Sequence, residues 1–131
     1  MERRIINPWT WQDQLGFVQA NDLTGVQHVL LCAGQTSVDD DGDVLHVGDM
    51  AGQLNRALDN LEPVLGQAGL GLSDVVRLNY YVTDISAFTE AAPHVLPRLD
   101  KAGCRPAATL LGVAALAFPE LLVEIAATAV Q

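Results

Sequence analysis

Basic residues are scarce in this sequence. Seven lysines and arginines stand against sixteen aspartates and glutamates, giving a formal charge of −9. The seven are also scattered, at Arg3, Arg4, Arg56, Arg77, Arg98, Lys101 and Arg105. No basic stripe forms, which argues against binding a nucleic-acid backbone or an anionic membrane surface. The acidic surplus is read as solubility. Charge of either sign is thin, at 18% of residues, while half the residues are hydrophobic. Such a chain can fill a sizeable core and still have apolar surface to cover. Covering it in an oligomer is favourable by roughly 25 cal/mol per Å².

Cysteine is nearly absent: Cys32 and Cys104 stand far apart, with no CxxC spacing. A chain of 131 residues needs no disulfide staple, so free thiols in a reducing cytoplasm are expected. Long apolar runs are missing as well. Leu110–Phe118 is too short to span a bilayer, with Gly112 inside it and Pro119 at its end. The opening MERRIINPW lacks the apolar core of a signal peptide. His28, His46 and His94 lie at no zinc-ligand spacing. Asp39, Asp41 and Asp43 begin like a calcium loop, but Val44 stands at its glycine place and Met50 at its closing glutamate. No phosphate-cradling GxxxxGK[ST] and no nucleophile elbow occur. Neither a metal nor a cofactor is expected.

What is present divides into short strands and two helices within a single domain, 1–131, without linker or repeat. Arg3–Ile6 suits a short strand that Asn7-Pro8 stops. Phe17–Asn21 and His28–Cys32 read as a hairpin joined around Asp22–Gly25, and Asp39–Asp43 as a polar turn. Asp49 is placed to cap a helix whose Met50, Leu54, Ala57, Leu58, Leu61, Val64, Leu65 and Ala68 recur at three- and four-residue steps. Gly69 ends it, and Pro63 is expected to kink it. Val76, Leu78, Tyr80 and Val82 alternate with Arg77, Asn79, Tyr81 and Thr83, a strand with one buried face. Asp84 or Ser86 caps a second helix with Phe88, Ala91, Ala92, Val95, Leu99 and Ala102 on one face, although Pro93 and Pro97 oppose it. Ala108–Leu116 and Leu121–Val130 form the last strands. The predicted fold is α+β, in the order β-β-β-α-β-α-β-β, with both helices on one face of a sheet. Trp9, Trp11 and Phe17 form an aromatic cluster, suited to packing or to the wall of an apolar ligand site.

Five stretches in order resemble one family. They are Ala33-Gly34-Gln35 after a strand; Gln53, Ala57-Leu58, Asn60-Leu61 and then Ala68-Gly69; Tyr81-Val82-Thr83-Asp84; Arg105-Pro106-Ala107; and Val123-Glu124-Ile125 with Ala127 and Ala129. From about residue 15 to the end the chain resembles the RidA/YjgF family of reactive enamine/imine deaminases. The resemblance implies a chorismate-mutase-like fold and a homotrimer, with three sheets at a barrel-like centre, helices outside and ligand clefts between subunits.

The resemblance also implies where a site would lie and what has changed in it. The family's arginine after Pro-Ala grips the substrate carboxylate, because its fork of donors takes both oxygens. Ala108 stands in that place, and a methyl group holds no carboxylate. Ala33 replaces the family's serine, Phe17 its tyrosine and Ala92 an asparagine of the second helix, while Gly34 and Gln35 are kept. Glu124 matches the glutamate thought to position water, and it is the only charged residue in Leu121–Gln131. Arg105, three residues before Ala108, is the one nearby cation able to substitute for the lost arginine.

Three readings stay open at this point. In the first, the inter-subunit cleft binds or hydrolyses a small neutral or aromatic metabolite. Glu124 then holds water, and backbone N–H groups near Gly34 and Thr109 orient the ligand. In the second, the protein is an enamine/imine deaminase, acting on C–N bonds with Arg105 or a neighbouring subunit's group as the substitute. In the third, it is a non-enzymatic ligand-binding or regulatory trimer.

Overall fold

In a computed structural model describing residues 1–131, the elements run β1 (Glu2–Ile6), β2 (Ala20–Thr24), β3 (Val29–Leu31), β4 (Gln35–Thr36), α1 (Met50–Gln67), β5 (Val75–Val82), α2 (Ile85–Lys101), β6 (Ala107–Gly112) and β7 (Val123–Val130). The period-two stretch forms β5, at the middle of the main sheet. β7 lies antiparallel on one side of it and β6 parallel on the other; β3 and β4 line the far edge of β7. Alternation then sorts the side chains. Leu78, Tyr80 and Val82 of β5 and Val123, Ile125, Ala127 and Ala129 of β7 are buried under the helices. Arg77, Asn79 and Tyr81, with their partners Thr128, Ala126 and Glu124, take the opposite, open face.

Both helices pack on the first face. α1 buries Met50, Gln53, Leu54, Ala57, Leu58, Leu61 and Leu65, and α2 buries Phe88, Ala91, Val95 and Leu99. Asp49 accepts the Gly52 N–H and Asp84 the Ala87 N–H, so Asp84 rather than Ser86 is the second cap. Pro63, Pro93 and Pro97 all sit on exposed helix faces, and each helix continues through its prolines. Gly69 and Gly103 follow the helices with φ of +75° and +71°, left-handed angles that glycine adopts without strain. No helix is long and apolar enough to cross a membrane.

Two expectations are corrected. The stretch from Phe17 does not pair with the one from His28. β2 starts at Ala20, runs through the expected turn to Thr24 and pairs with β1 in a separate two-stranded ribbon. Polar contacts across the two strands and to distant parts of the same chain hold that pairing. Arg4 meets Asp22 at 2.7 Å, while Arg3 donates to Asn21 Oδ1 and to the carbonyls of Ser73 and Arg105. The second correction concerns length. β6 ends at Gly112 rather than Leu116, because its neighbour β5 ends opposite it at Val82; the Val113 N–H makes the last bond across the pair, to the Val82 carbonyl. The last strand begins at Val123 rather than Leu121.

One buried polar residue ties these layers together. Gln53 is wholly buried on the apolar face of α1. Its amide donates to the Glu120 and His46 carbonyls and accepts from the Leu122 N–H, fixing the loop that delivers β7.

Candidate functional site

The edge of β7 carries the first group of site residues. From Leu31 to Gln35 the edge chain takes four steps, while β7 takes three, from Thr128 to Ile125. This one-residue bulge lies around Cys32, Ala33 and Gly34, and the Cys32 N–H still bonds the Ala127 carbonyl. The bulge brings Gly34 over Glu124. A Cβ built on Gly34 would stand 2.5 Å from Glu124 Oε2, so only glycine leaves the carboxylate its place. Gln35 donates to the Ala33 carbonyl, which closes the bulge. Glu124 is half-buried on the open face, opposite Tyr81 of β5 and Thr36 of β4.

The second group lies on the helix side of β6. Phe17, Ala92, Ala108 and Thr109 line a cavity of about 920 Å³ between β6, α2 and the segment that precedes β2. Its other walls include Leu15, Tyr80, Phe88, Leu96 and Leu110. Its lining holds two carboxylates, Asp13 and Asp100, and no lysine, arginine or histidine. Thr109 contributes little polarity, because its side chain shares the open face with its neighbour Asn79, where its Oγ1 accepts from Arg77 at 2.7 Å. Of the aromatic cluster, Phe17 alone lines the cavity. Trp11 meets Phe17 edge-on with ring centres 6.0 Å apart, yet Trp9 and Trp11 stay 58% and 62% exposed, so neither is core.

Arg105 lies in neither group. It lines a smaller adjoining cavity of about 420 Å³ with Asn7, Asp13, Phe17, Asp100 and Cys104. Its carbonyl is held by Arg3 and Asn21, while its exposed side chain forms no ion pair. Cys104 is buried there, and burial pushes its thiol up to about 11, opposed by the charge of Arg3. Burial also raises the Cys32 thiol, so neither cysteine is activated toward thiolate.

The chain therefore divides its candidate residues between two places. Ala33, Gly34, Gln35 and Glu124 gather at the edge of the open face; Phe17, Ala92, Ala108 and Thr109 gather around the cavity beside α2. A single chain does not bring the carboxylate to the cavity. The residue that sequence reasoning passed over is Tyr80, which period two assigns to the core and which also lines the cavity. A phenol among aliphatic strand residues was the available signal.

Comparison with known proteins bears on the family and the fold. A family model described as endoribonuclease L-PSP matches residues 14–131. The 3-aminoacrylate deaminase RutC of Acinetobacter baylyi is similar at 29% identity over 109 residues, covering 81% of this chain and 82% of the relative. A RutC-family protein of Pyrococcus abyssi is 31% identical over 65 residues, and the chain spans about half that relative's length, 51%. Among solved structures, the Rid-family protein YyfB of Yersinia pestis, described as of unknown function, superposes with a TM-score of 0.87 at 34% identity over the whole of both chains. The YjgF gene product of Escherichia coli gives a TM-score of 0.71 at 29% identity, covering 88% of this chain and 87% of that one.

Proposed function

The chain belongs to the endoribonuclease L-PSP family, the RidA/YjgF group, and from that premise we propose that its cleft takes a small neutral or aromatic molecule rather than an amino-acid-derived imine. One observation carries this reading. Ala108, standing where the family has its carboxylate-gripping arginine, lines an apolar cavity with no cation in it. Asp13 and Asp100 add negative charge, which disfavours a carboxylate further. Arg105 faces the adjoining cavity, which weighs against its serving as the substitute.

The working unit is a homotrimer, in which one subunit's Gly34–Glu124 edge meets the next subunit's cavity. The division of the candidate residues supports this. So does the open face, where Leu31 is 76% and Val29 55% exposed and the buried Asn79 Oδ1 has no partner. In the assembled cleft Glu124 holds a water against the ligand, and backbone N–H groups near Gly34 and Thr109 orient it. Hydrolysis follows if the ligand offers a C–N bond at that water; otherwise the cleft is a binding site. RNA does not suit a surface of net charge −9 with scattered cations.

The test is hydrolysis of 2-aminoacrylate and 3-aminoacrylate by the full chain. Both carry the carboxylate that this cleft has no group to hold. The expected rate is that of buffer alone, and rapid turnover of either overturns the reading.

A further inference from the structure

The cavity has one buried polar group that nothing in the chain uses. Tyr80 is 7% exposed, and its ring packs against Phe88 with centres 5.2 Å apart. Its hydroxyl makes no hydrogen bond to a protein atom. Nor is that hydroxyl sealed, since Asn79 Oδ1 is the only fully buried side-chain oxygen or nitrogen left without a partner. The space that Tyr80 reaches is the cavity, which it lines together with Phe17, Ala92, Leu96, Ala108 and Leu110. Around the phenol the walls are methyl groups and rings, with the carboxylates of Asp13 and Asp100 also in the lining.

Through the cavity the hydroxyl is open to water. A ligand that fills the cavity displaces that water, and a donor then left without an acceptor is costly, a cost that phenylalanine would not carry. A ligand that brings an acceptor avoids it.

We propose that Tyr80 is the specificity-determining group of this cleft, donating its hydroxyl hydrogen bond to a single neutral acceptor on an otherwise apolar ligand. The inference rests on the neutral-ligand reading above and names its chemical class: an aromatic or aliphatic body bearing one ketone, ester, ether or alcohol oxygen. Burial holds the Tyr80 phenol well above the usual tyrosine range, so it stays a neutral donor at physiological pH. A neutral donor in an apolar pocket beside two carboxylates prefers an uncharged oxygen. It also rejects an analogue that lacks the oxygen, because the donor then stays unpaired.

The test uses the full chain and Tyr80→Phe, titrated by NMR with acetophenone, ethylbenzene and benzoate. These probes share a ring and differ in carrying a neutral acceptor, none, or a charge. Wild type is expected to bind acetophenone and not benzoate. Tyr80→Phe should weaken acetophenone roughly tenfold, the equivalent of about 1.4 kcal/mol, and tighten ethylbenzene, whose binding no longer strands a donor. The melting temperature of Tyr80→Phe should not fall, since the hydroxyl has no partner to lose. Equal binding of acetophenone by both proteins overturns the role of Tyr80 and leaves the neutral cleft standing. Benzoate binding as tightly as acetophenone, or no binding of either neutral probe, overturns the neutral cleft and this inference with it.

Discussion

The two faces of the central sheet are built to different degrees of completion. Under the helices, away from the cavity, the polar groups are used: Gln53 is wholly buried and its amide makes three backbone hydrogen bonds. On the open face Asn79 Oδ1 is buried without a partner, Leu31 is 76% exposed and Glu124 stands under a glycine bulge. The first face satisfies itself within one chain and determines the fold. The second holds groups that nothing in the chain satisfies, the observation on which the proposed trimer rests. The same contrast recurs between Gln53 and Tyr80. Both are buried on the helix side, and only the hydroxyl facing the cavity is left without a partner.

Substitutions on the two faces should therefore fail in different ways. Leu58 is fully buried in α1, and Leu58→Ala should cost about 4 kcal/mol in chemical denaturation through the cavity it opens. A loss below about 1 kcal/mol would mean that α1 is not sealed against the sheet. Gln53→Leu should cost about 3 kcal/mol, because the Leu122 N–H and the His46 and Glu120 carbonyls lose their partner together. Asp49→Ala should cost about 1 kcal/mol through its lost cap on Gly52. On the open face, Leu31→Asp should leave the single chain within about 0.5 kcal/mol of its own stability. Light scattering should instead show the mass fall from three chains to one. An unchanged mass would remove the neighbour from the account, and unfolding would make Leu31 part of the chain's own core.

How much of this could be read from the sequence depended on whether partners were local. α1 was legible because its cap, its three- and four-residue spacing and its closing Gly69 all lie within one stretch. β5 was legible because alternation is local too. The pairing of β2 was not, because Arg3 and Arg4 choose it through Asn21, Asp22, Ser73 and Arg105, residues up to a hundred positions away. The site was half legible. Resemblance named Gly34, Ala108 and Glu124, and it took coordinates to show that one chain holds them apart. The bulge at Ala33-Gly34 emerges only from comparing the register on its two sides. Tyr80 was missed because period two says which side a residue faces, not whether that side holds a cavity.

The central claim is that this cleft kept its architecture and lost its grip on a carboxylate at Ala108. The measurement that tests it most directly is kcat/KM for 2-aminoacrylate hydrolysis by wild type and Ala108→Arg. The account predicts that wild type runs at the rate of buffer and that the variant gains at least roughly tenfold, as a bidentate guanidinium restores the missing contact. A wild type that already turns over rapidly, unchanged by the new arginine, would contradict it.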